Sequence, residues 1–322
     1  MTTTSHMIPY FLGLKGPTGF SSRSTAEETS AGVDLTGRVA IVTGASSGLG
    51  IETARVLALR GAEVVIGVRR VNAGEETKEV ILKSIPNAKI HVLELDLGSL
   101  ASVREFVKNF KELKLPLNIL INNAGVMACP FGRTKDGHEL QFGTNHLAHF
   151  LLTELLLPLI KQTAKDTGIQ GRIVILASSG HDLTYPGGIR FDKLDSEEGY
   201  DPYRAYGQSK LANLLHAKEL ARRLKEENAN VIVNALHPGV IQTGLARHMP
   251  KIAVFFIKTF GGLALKSIPQ GAATSLFLAT NPKVTVSGEY WADSNIAARS
   301  DLARDDGLAK RLYEVSLDMT KP

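Results

Sequence analysis

The chain has 322 residues, 43% of them hydrophobic and 21% charged, which is ordinary globular usage and excludes a disordered, collagen-like or coiled-coil polypeptide. Its formal net charge is only +5 and the basic residues are scattered, which argues against nucleic-acid binding and leaves room for an anionic ligand. One cysteine, Cys129, excludes an intrachain disulfide framework and a multi-cysteine zinc site, and fits a reducing compartment.

Residues 1–36 are rich in Ser and Thr, carry no acid before Glu27 and read as a leader segment, either flexible or weakly like a transit peptide. From residue 39 short β-branched runs alternate with longer amphipathic ones. The runs Val39–Thr43, Val64–Val68, Ile90–Leu95, Asn118–Asn122, Arg172–Ala177, Val231–Leu236 and Gly288–Trp291 read as strands. Glu52–Arg60, Val71–Ser84, Ser99–Leu113, Gly137–Lys161 and Tyr203–Glu227 read as helices between them. Buried strands joined by helices of this length predict βαβ units. The expected fold is therefore α/β: one doubly wound, mainly seven-stranded parallel sheet of the Rossmann type, in a single domain spanning residues 37–322. No apolar run reaches the roughly 18 residues that a bilayer span needs.

The first strand runs into Thr43-Gly44-Ala45-Ser46-Ser47-Gly48-Leu49-Gly50, directly before a helical pattern. Glycines at Gly44, Gly48 and Gly50 allow a sharp turn and a close approach of phosphate to backbone amides at a helix N-terminus. That placement makes a dinucleotide site the expectation. The second strand ends in Val68-Arg69-Arg70. An acid there would bind a free ribose diol and repel a 2′-phosphate. Its absence, together with the planar fork of Arg69, points to NADP(H).

Tyr206 and Lys210 lie four residues apart, so on a helix they share one face. A phenol titrating near 10 needs a neighbouring cation to serve as an acid–base group at neutral pH. Around this pair the sequence sets Ser178-Ser179 at the end of strand five, Asn122-Asn123-Ala124-Gly125 at the end of strand four, Thr144-Asn145 in a helical stretch, and His237-Pro238-Gly239 with Thr243 after strand six.

In that order these motifs resemble the short-chain dehydrogenase/reductase family over roughly residues 38–295. The spacing from Ser179 to Tyr206 and the stretches Phe191–Leu194 and Tyr206–Asn213 are similar to its retinol-dehydrogenase-like branch. Phe11–Ala26, Ile189–Leu194 and Leu211–Leu224 look like a plant group containing a chloroplast-envelope, translocon-associated member. The resemblance implies a catalytic tetrad of Asn145, Ser179, Tyr206 and Lys210. Tyr206 would exchange the proton. Lys210 would bind the nicotinamide ribose and lower the Tyr206 pKa. Ser179 would bond the substrate oxygen, and Asn145 would hold a water. It also implies cofactor contacts from Gly44, Ser46, Ser47, Gly48, Leu49, Gly50, Arg69, Asp96, Leu97, Asn123, Ala124, Gly125, Thr144, Pro238, Gly239 and Thr243.

After Thr243 the apolar stretch within residues 244–270 is expected as a lid over a lipophilic carbonyl or alcohol, or else as a face packed on the core or on a second copy. Arg247, Lys251, Lys258 and Lys266 give it a basic fringe, which also allows peripheral membrane contact. Cys129 is expected as a buried, inert thiol. No histidine cluster has metal-ligand spacing, so no metal is expected. The functional expectation is an NADPH-dependent oxidoreductase interconverting a lipophilic aldehyde or ketone and its alcohol. The alternative is an NADP(H)-responsive binding module at a membrane complex. The expected location is cytoplasmic, with chloroplast-envelope association as the alternative.

Overall fold

The computed structural model describes Tyr10, residues 12–241 and residues 265–322. Among these, one eight-stranded sheet runs in the order β3-β2-β1-β4-β5-β6-β7-β8. Its strands are β1 (Val39–Thr43), β2 (Glu63–Val68), β3 (Ile90–Glu94), β4 (Ile119–Asn122), β5 (Gly171–Leu176), β6 (Val231–His237), β7 (Tyr290–Ala292) and β8 (Asn295–Ile296). Seven strands are parallel, as expected. The eighth is a two-residue antiparallel return on β7, too short to leave a periodicity signal in the sequence.

Strands β1, β4 and β5 are buried along their whole length because helices cover both faces. Alternate residues feed two cores. Val39, Ile41, Ile173 and Ile175 join one with Phe106, Phe110, Phe142 and Phe150. Ala40, Val42, Val174 and Leu176 join the other with Leu57, Ile81 and Phe277. The chain winds outward through β1, β2 and β3, then returns to place β4 beside β1. Such a reversal opens a crevice at the carboxyl ends of the strands, here beside Thr43 and Asn122.

The expected leader is not set apart from the domain where it is described. A first helical turn, α1 (Ala26–Thr29), carries a reciprocal Thr25–Glu28 capping box. Thr29 Oγ1 donates to the Ala273 carbonyl at 2.9 Å, Phe20 meets Phe277 edge-on at 5.5 Å, and the Thr18 amide and hydroxyl both donate to Asn295 Oδ1. Serine-rich sequence reads as flexible, but here the hydroxyls are used inside contacts: Ser21, Ser22, Ser24 and Ser30 are buried.

Two helices were not foreseen: α7 (Ile268–Thr280), which carries the second core, and α8 (Asp306–Met319). The remaining helices are α2 (Gly48–Leu59), α3 (Val71–Ser84), α4 (Leu100–Glu112), α5 (Ala148–Thr167) and α6 (Pro202–Glu226). The helix expected from Gly137 begins three residues later and is not uniform. Glu139 caps a short helical piece, Leu140–Phe142, which passes through a π-helical turn, Gly143–Leu147, into α5.

Candidate active site

The glycine-rich turn is built as its residue types require. Gly44 has φ +70°. A Cβ on Gly44 would lie 2.7 Å from Ala124 Cβ, and one on Gly50 would lie 2.4 Å from the Gly44 carbonyl oxygen. Helix α2 begins immediately, and its N-cap, Ser47, makes no side-chain capping bond. The first-turn amides of a twelve-residue helix therefore point at the crevice, a ready anion site. Ser46 and Ser47 are exposed beside it, whereas Leu49 is half-buried. These features fit a pyrophosphate.

At the end of β2, Val68 is buried while Arg69 and Arg70 are exposed. Asp96 follows β3. Burial tends to raise its carboxyl, but hydrogen bonds from Lys135 and the Gly98 amide, with the charges of Lys135 and Arg69, hold it below the usual carboxylate range. Lys135 Nζ reaches Asp96 at 3.0 Å from a loop that had given no signal of this contact. Leu97, next in line, is buried.

Thr43 and Asn123 tie β1 to β4. Thr43 Oγ1 accepts the Asn123 and Ala124 amides at 2.9 and 3.0 Å, and Asn123 Nδ2 donates to the Thr43 carbonyl at 2.8 Å. With its lone pairs used, the Thr43 hydroxyl donates to His149 Nε2 at 2.9 Å. That leaves the ring proton on Nδ1, which meets the Asn145 carbonyl at 3.1 Å. Thr43 opens the glycine motif, but its side-chain bonds to β4 and to His149 were not anticipated.

Asn145 lies in the π-helical turn and is fully buried; Thr144 precedes it, half-buried. Its side chain accepts from the Val126 amide at 2.8 Å and donates to the Val126 carbonyl and to Ser209 Oγ, both at 2.9 Å. It thus fixes the loop after β4. A Cβ on Gly125 would lie 3.1 Å from Asn145 Oδ1 and 3.6 Å from Lys210 Nζ, so these three residues share one spot.

Tyr206 and Lys210 share a face of α6 as the spacing predicts, with Lys210 Nζ 5.7 Å from the Tyr206 ring centre. Lys210 Nζ donates to the Leu176 carbonyl at 3.0 Å, and burial pushes its ammonium down to about 8. Burial holds the Tyr206 phenol above its ordinary value, and a hydrogen bond with the Ser178 side chain offsets part of that rise.

The serine beside Tyr206 is therefore Ser178, where the resemblance had pointed to Ser179. Ser178 is half-buried and extended; Ser179 is exposed and begins a 3-10 turn, Ser179–Leu183. Ser178 Oγ accepts the Gly180 amide at 3.0 Å, which leaves its own proton free to donate. A Cβ on Gly180 would lie 3.2 Å from Tyr206 Cε1 and 3.3 Å from Ser178 Oγ. Read from sequence alone, this strand runs on to Ala177, so the cue comes from the structure. Strand β5 closes at Leu176, so Ser178 is the residue in position to cap the turn through an amide two residues on.

Gly239, with φ +92°, lies over the aliphatic stem of Lys266: a Cβ there would be 2.6 Å from Lys266 Cδ. Lys266 does not belong to a basic fringe. It is buried and ion-paired with Asp293 at 2.5 Å. Pro238 is half-buried next to Gly239. Thr243, Arg247, Lys251, Lys258 and most of the expected lid lie outside the described residues. Cys129 is buried. Among the described residues no helix is long and apolar enough to cross a membrane.

A family model for short chain dehydrogenase matches residues 38–191. A curated relative, short-chain dehydrogenase TIC 32 A, chloroplastic, of Brassica napus, is 47% identical over 310 residues, covering 96% of this chain and 97% of its own. This chain belongs to the short-chain dehydrogenase/reductase family. Human retinol dehydrogenase 11 is 41% identical over 320 residues, covering 97% of this chain and 95% of its own. Among solved structures, a Mycobacterium paratuberculosis protein shares the fold at TM-score 0.72 and 34% identity, with 90% of this chain and 96% of that one covered. The RhlG/NADP active-site complex of Pseudomonas aeruginosa follows at TM-score 0.62 and 26% identity, covering 80% and 94%. In this short-chain dehydrogenase/reductase, then, Gly44 packs on Ala124, Asn145 and Lys210 meet at Gly125, and Tyr206 lies between Lys210 and Ser178.

Proposed function

We propose that this chain is an NADP(H)-dependent oxidoreductase that interconverts a lipophilic aldehyde or ketone and its alcohol. The observation that carries this reading is the meeting of Ser178, Tyr206, Lys210 and Asn145 at the crevice beside the Gly44–Gly50 turn. NADP(H) bound there would supply or accept the hydride. The α2 amides and the Gly44–Gly50 turn would hold its pyrophosphate, Arg69 its 2′-phosphate, and Lys210 its nicotinamide ribose.

Tyr206 keeps its proton at Oη because burial disfavours the phenolate. A protonated phenol next to a hydroxyl donor can deliver its proton to a developing alkoxide. Ser178 Oγ, anchored by the Gly180 amide, directs its hydrogen into the same space and shares the oxygen's charge. Lys210, charged over much of the neutral range, is the cation that must stabilise the phenolate once the proton has left. The lipophilic substrate class is supported by retinol dehydrogenases among the relatives, and NADP by the RhlG/NADP complex and the missing acid after β2. The chloroplastic relatives favour a chloroplast location over a cytoplasmic one.

The test is reduction of decanal with NADPH by the wild type and by Tyr206→Phe. The variant should bind NADPH with unchanged affinity and lose about a hundredfold or more in kcat, since the general acid is gone. Near-wild-type turnover in Tyr206→Phe refutes the assignment.

A further inference from the structure

We propose that His181 is a positioning residue that aims the Ser178 hydroxyl at the reacting oxygen. The inference rests on the assignment of Ser178 made above. His181 is buried within the 3-10 turn that follows β5. Its Nδ1 lies 2.7 Å from the Ser178 carbonyl, and the Ser300 amide donates to its Nε2 at 3.3 Å. A carbonyl oxygen can only accept, so Nδ1–H donates to Ser178, while Nε2 also lies 3.2 Å from Asp182 Oδ1. The His181 amide donates to the same carbonyl at 3.2 Å.

Ser178 is thereby held from both ends. Its carbonyl takes two donors from His181, and its Oγ takes the Gly180 amide at 3.0 Å. Its one remaining freedom is the hydroxyl hydrogen, and Tyr206 is the neighbour it meets. The ring is clamped in turn by Tyr290, edge-on at 5.2 Å, and by the loop carrying Ser300, more than a hundred residues along the chain. His181 thus joins the end of β5 to the segment after β8. A short turn alone would leave the serine free to rotate with its loop; the ring fixes the loop to the body of the domain. Geometric errors near 1 Å at a reacting centre can cost about a hundredfold in rate.

The substitutions separate the ring's two contacts. Asn at 181 can place a donor near the Nδ1 position, Gln can place one only near Nε2, and Phe keeps the volume with neither. Two measurements are made. The first is amide exchange at Gly180 in the cofactor-free protein, which reports whether Ser178 Oγ stays in place. His181→Phe and His181→Gln should speed it by about tenfold, and His181→Asn by less than about twofold. The second is kcat with NADPH and decanal for the same variants, for Ser178→Ala, and for the double variant Ser178→Ala/His181→Phe. His181→Phe should lower kcat by about ten- to a hundredfold with NADPH affinity unchanged, His181→Asn should recover most of the loss, and the double variant should be no slower than Ser178→Ala. Unaltered Gly180 exchange in His181→Phe, or a double variant slowed by the full additional factor, overturns the proposal. Full turnover in Ser178→Ala, or no turnover of decanal by the wild type, instead strikes the functional assignment, and the exchange measurement still decides the role of His181.

Discussion

At the residue scale, Lys210 and Arg69 are two cations with opposite environments. Lys210 is sealed behind Tyr206, and burial alone lowers it to about 8. Arg69 is exposed at the mouth of the crevice, close enough to Asp96 to lower that carboxyl. An exposed guanidinium can form charge-assisted bonds to a 2′-phosphate at little desolvation cost. Arg69→Ala should therefore reduce the kcat/KM preference for NADPH over NADH by about one to two powers of ten and leave NADH kinetics nearly unchanged. The ratio of the two kcat/KM values checks it, and an unaltered ratio excludes Arg69 as the selector. One residue at a time, the motifs named side chains that the fold gathers: Asn145 and Lys210 meet at Gly125, Lys210 lies over the Tyr206 ring, and Gly44 packs on Ala124. The serine pair shows the limit of such reading, since it is Ser178 and not Ser179 that the structure sets beside Tyr206. Adjacent serines differ by one step of backbone, and only the end of β5 and the start of the turn decide which hydroxyl faces Tyr206.

At the element scale, the turn between β1 and α2 is the part with least tolerance. A Cβ on Gly50 meets backbone at 2.4 Å, not a flexible side-chain end, so the turn itself must move. Gly50→Ala should weaken NADPH binding by at least about tenfold, in line with the roughly 1–3 kcal/mol cost of overpacking, while the fold persists. Cofactor titration followed by fluorescence checks it; unchanged affinity would mean that phosphate does not sit on this turn. Elements were legible where apolar periodicity set them, as in β1 to β6. The π-helical turn at Gly143–Leu147 was not, because its irregularity comes from Asn145 bonding the Val126 backbone, a tertiary contact with no local pattern. Lys266 was hidden for the same reason: only its pairing with Asp293 explains a buried lysine in an apolar stretch.

At the scale of the whole molecule, both ends of the described chain are structural. Residues from Gly16 onward lie against α7 and β8, and α8 docks on α5 through Tyr313 Oη to Glu154 at 2.6 Å, on the π-helical turn through His146 to Ser316 at 2.8 Å, and on α6 through Glu314 to Arg223 at 2.5 Å. The interior also stores neutral histidines. Burial pushes His146 down to about 3, His149 and His237 down to about 4, and His216 well below its ordinary value. A histidine lowered in the folded state is protonated first in the unfolded one, so its contribution is complete above pH 6.5 and is lost as pH falls from there toward the folded values. Stability should decline at up to about 1.4 kcal/mol per pH unit for each such group. A clear fall in Tm between pH 7 and pH 5 is the expected result, and a flat Tm would show that these rings are hydrated.

The most direct measurement of the central claim compares two neighbouring alanines. Ser178→Ala and Ser179→Ala are assayed for kcat with NADPH and decanal, and NADPH affinity is measured for both. If Ser178 donates to the reacting oxygen beside Tyr206, Ser178→Ala loses about a hundredfold or more in kcat while Ser179→Ala stays within about threefold of the wild type. The opposite ranking, or equal activity in both, contradicts the site described here.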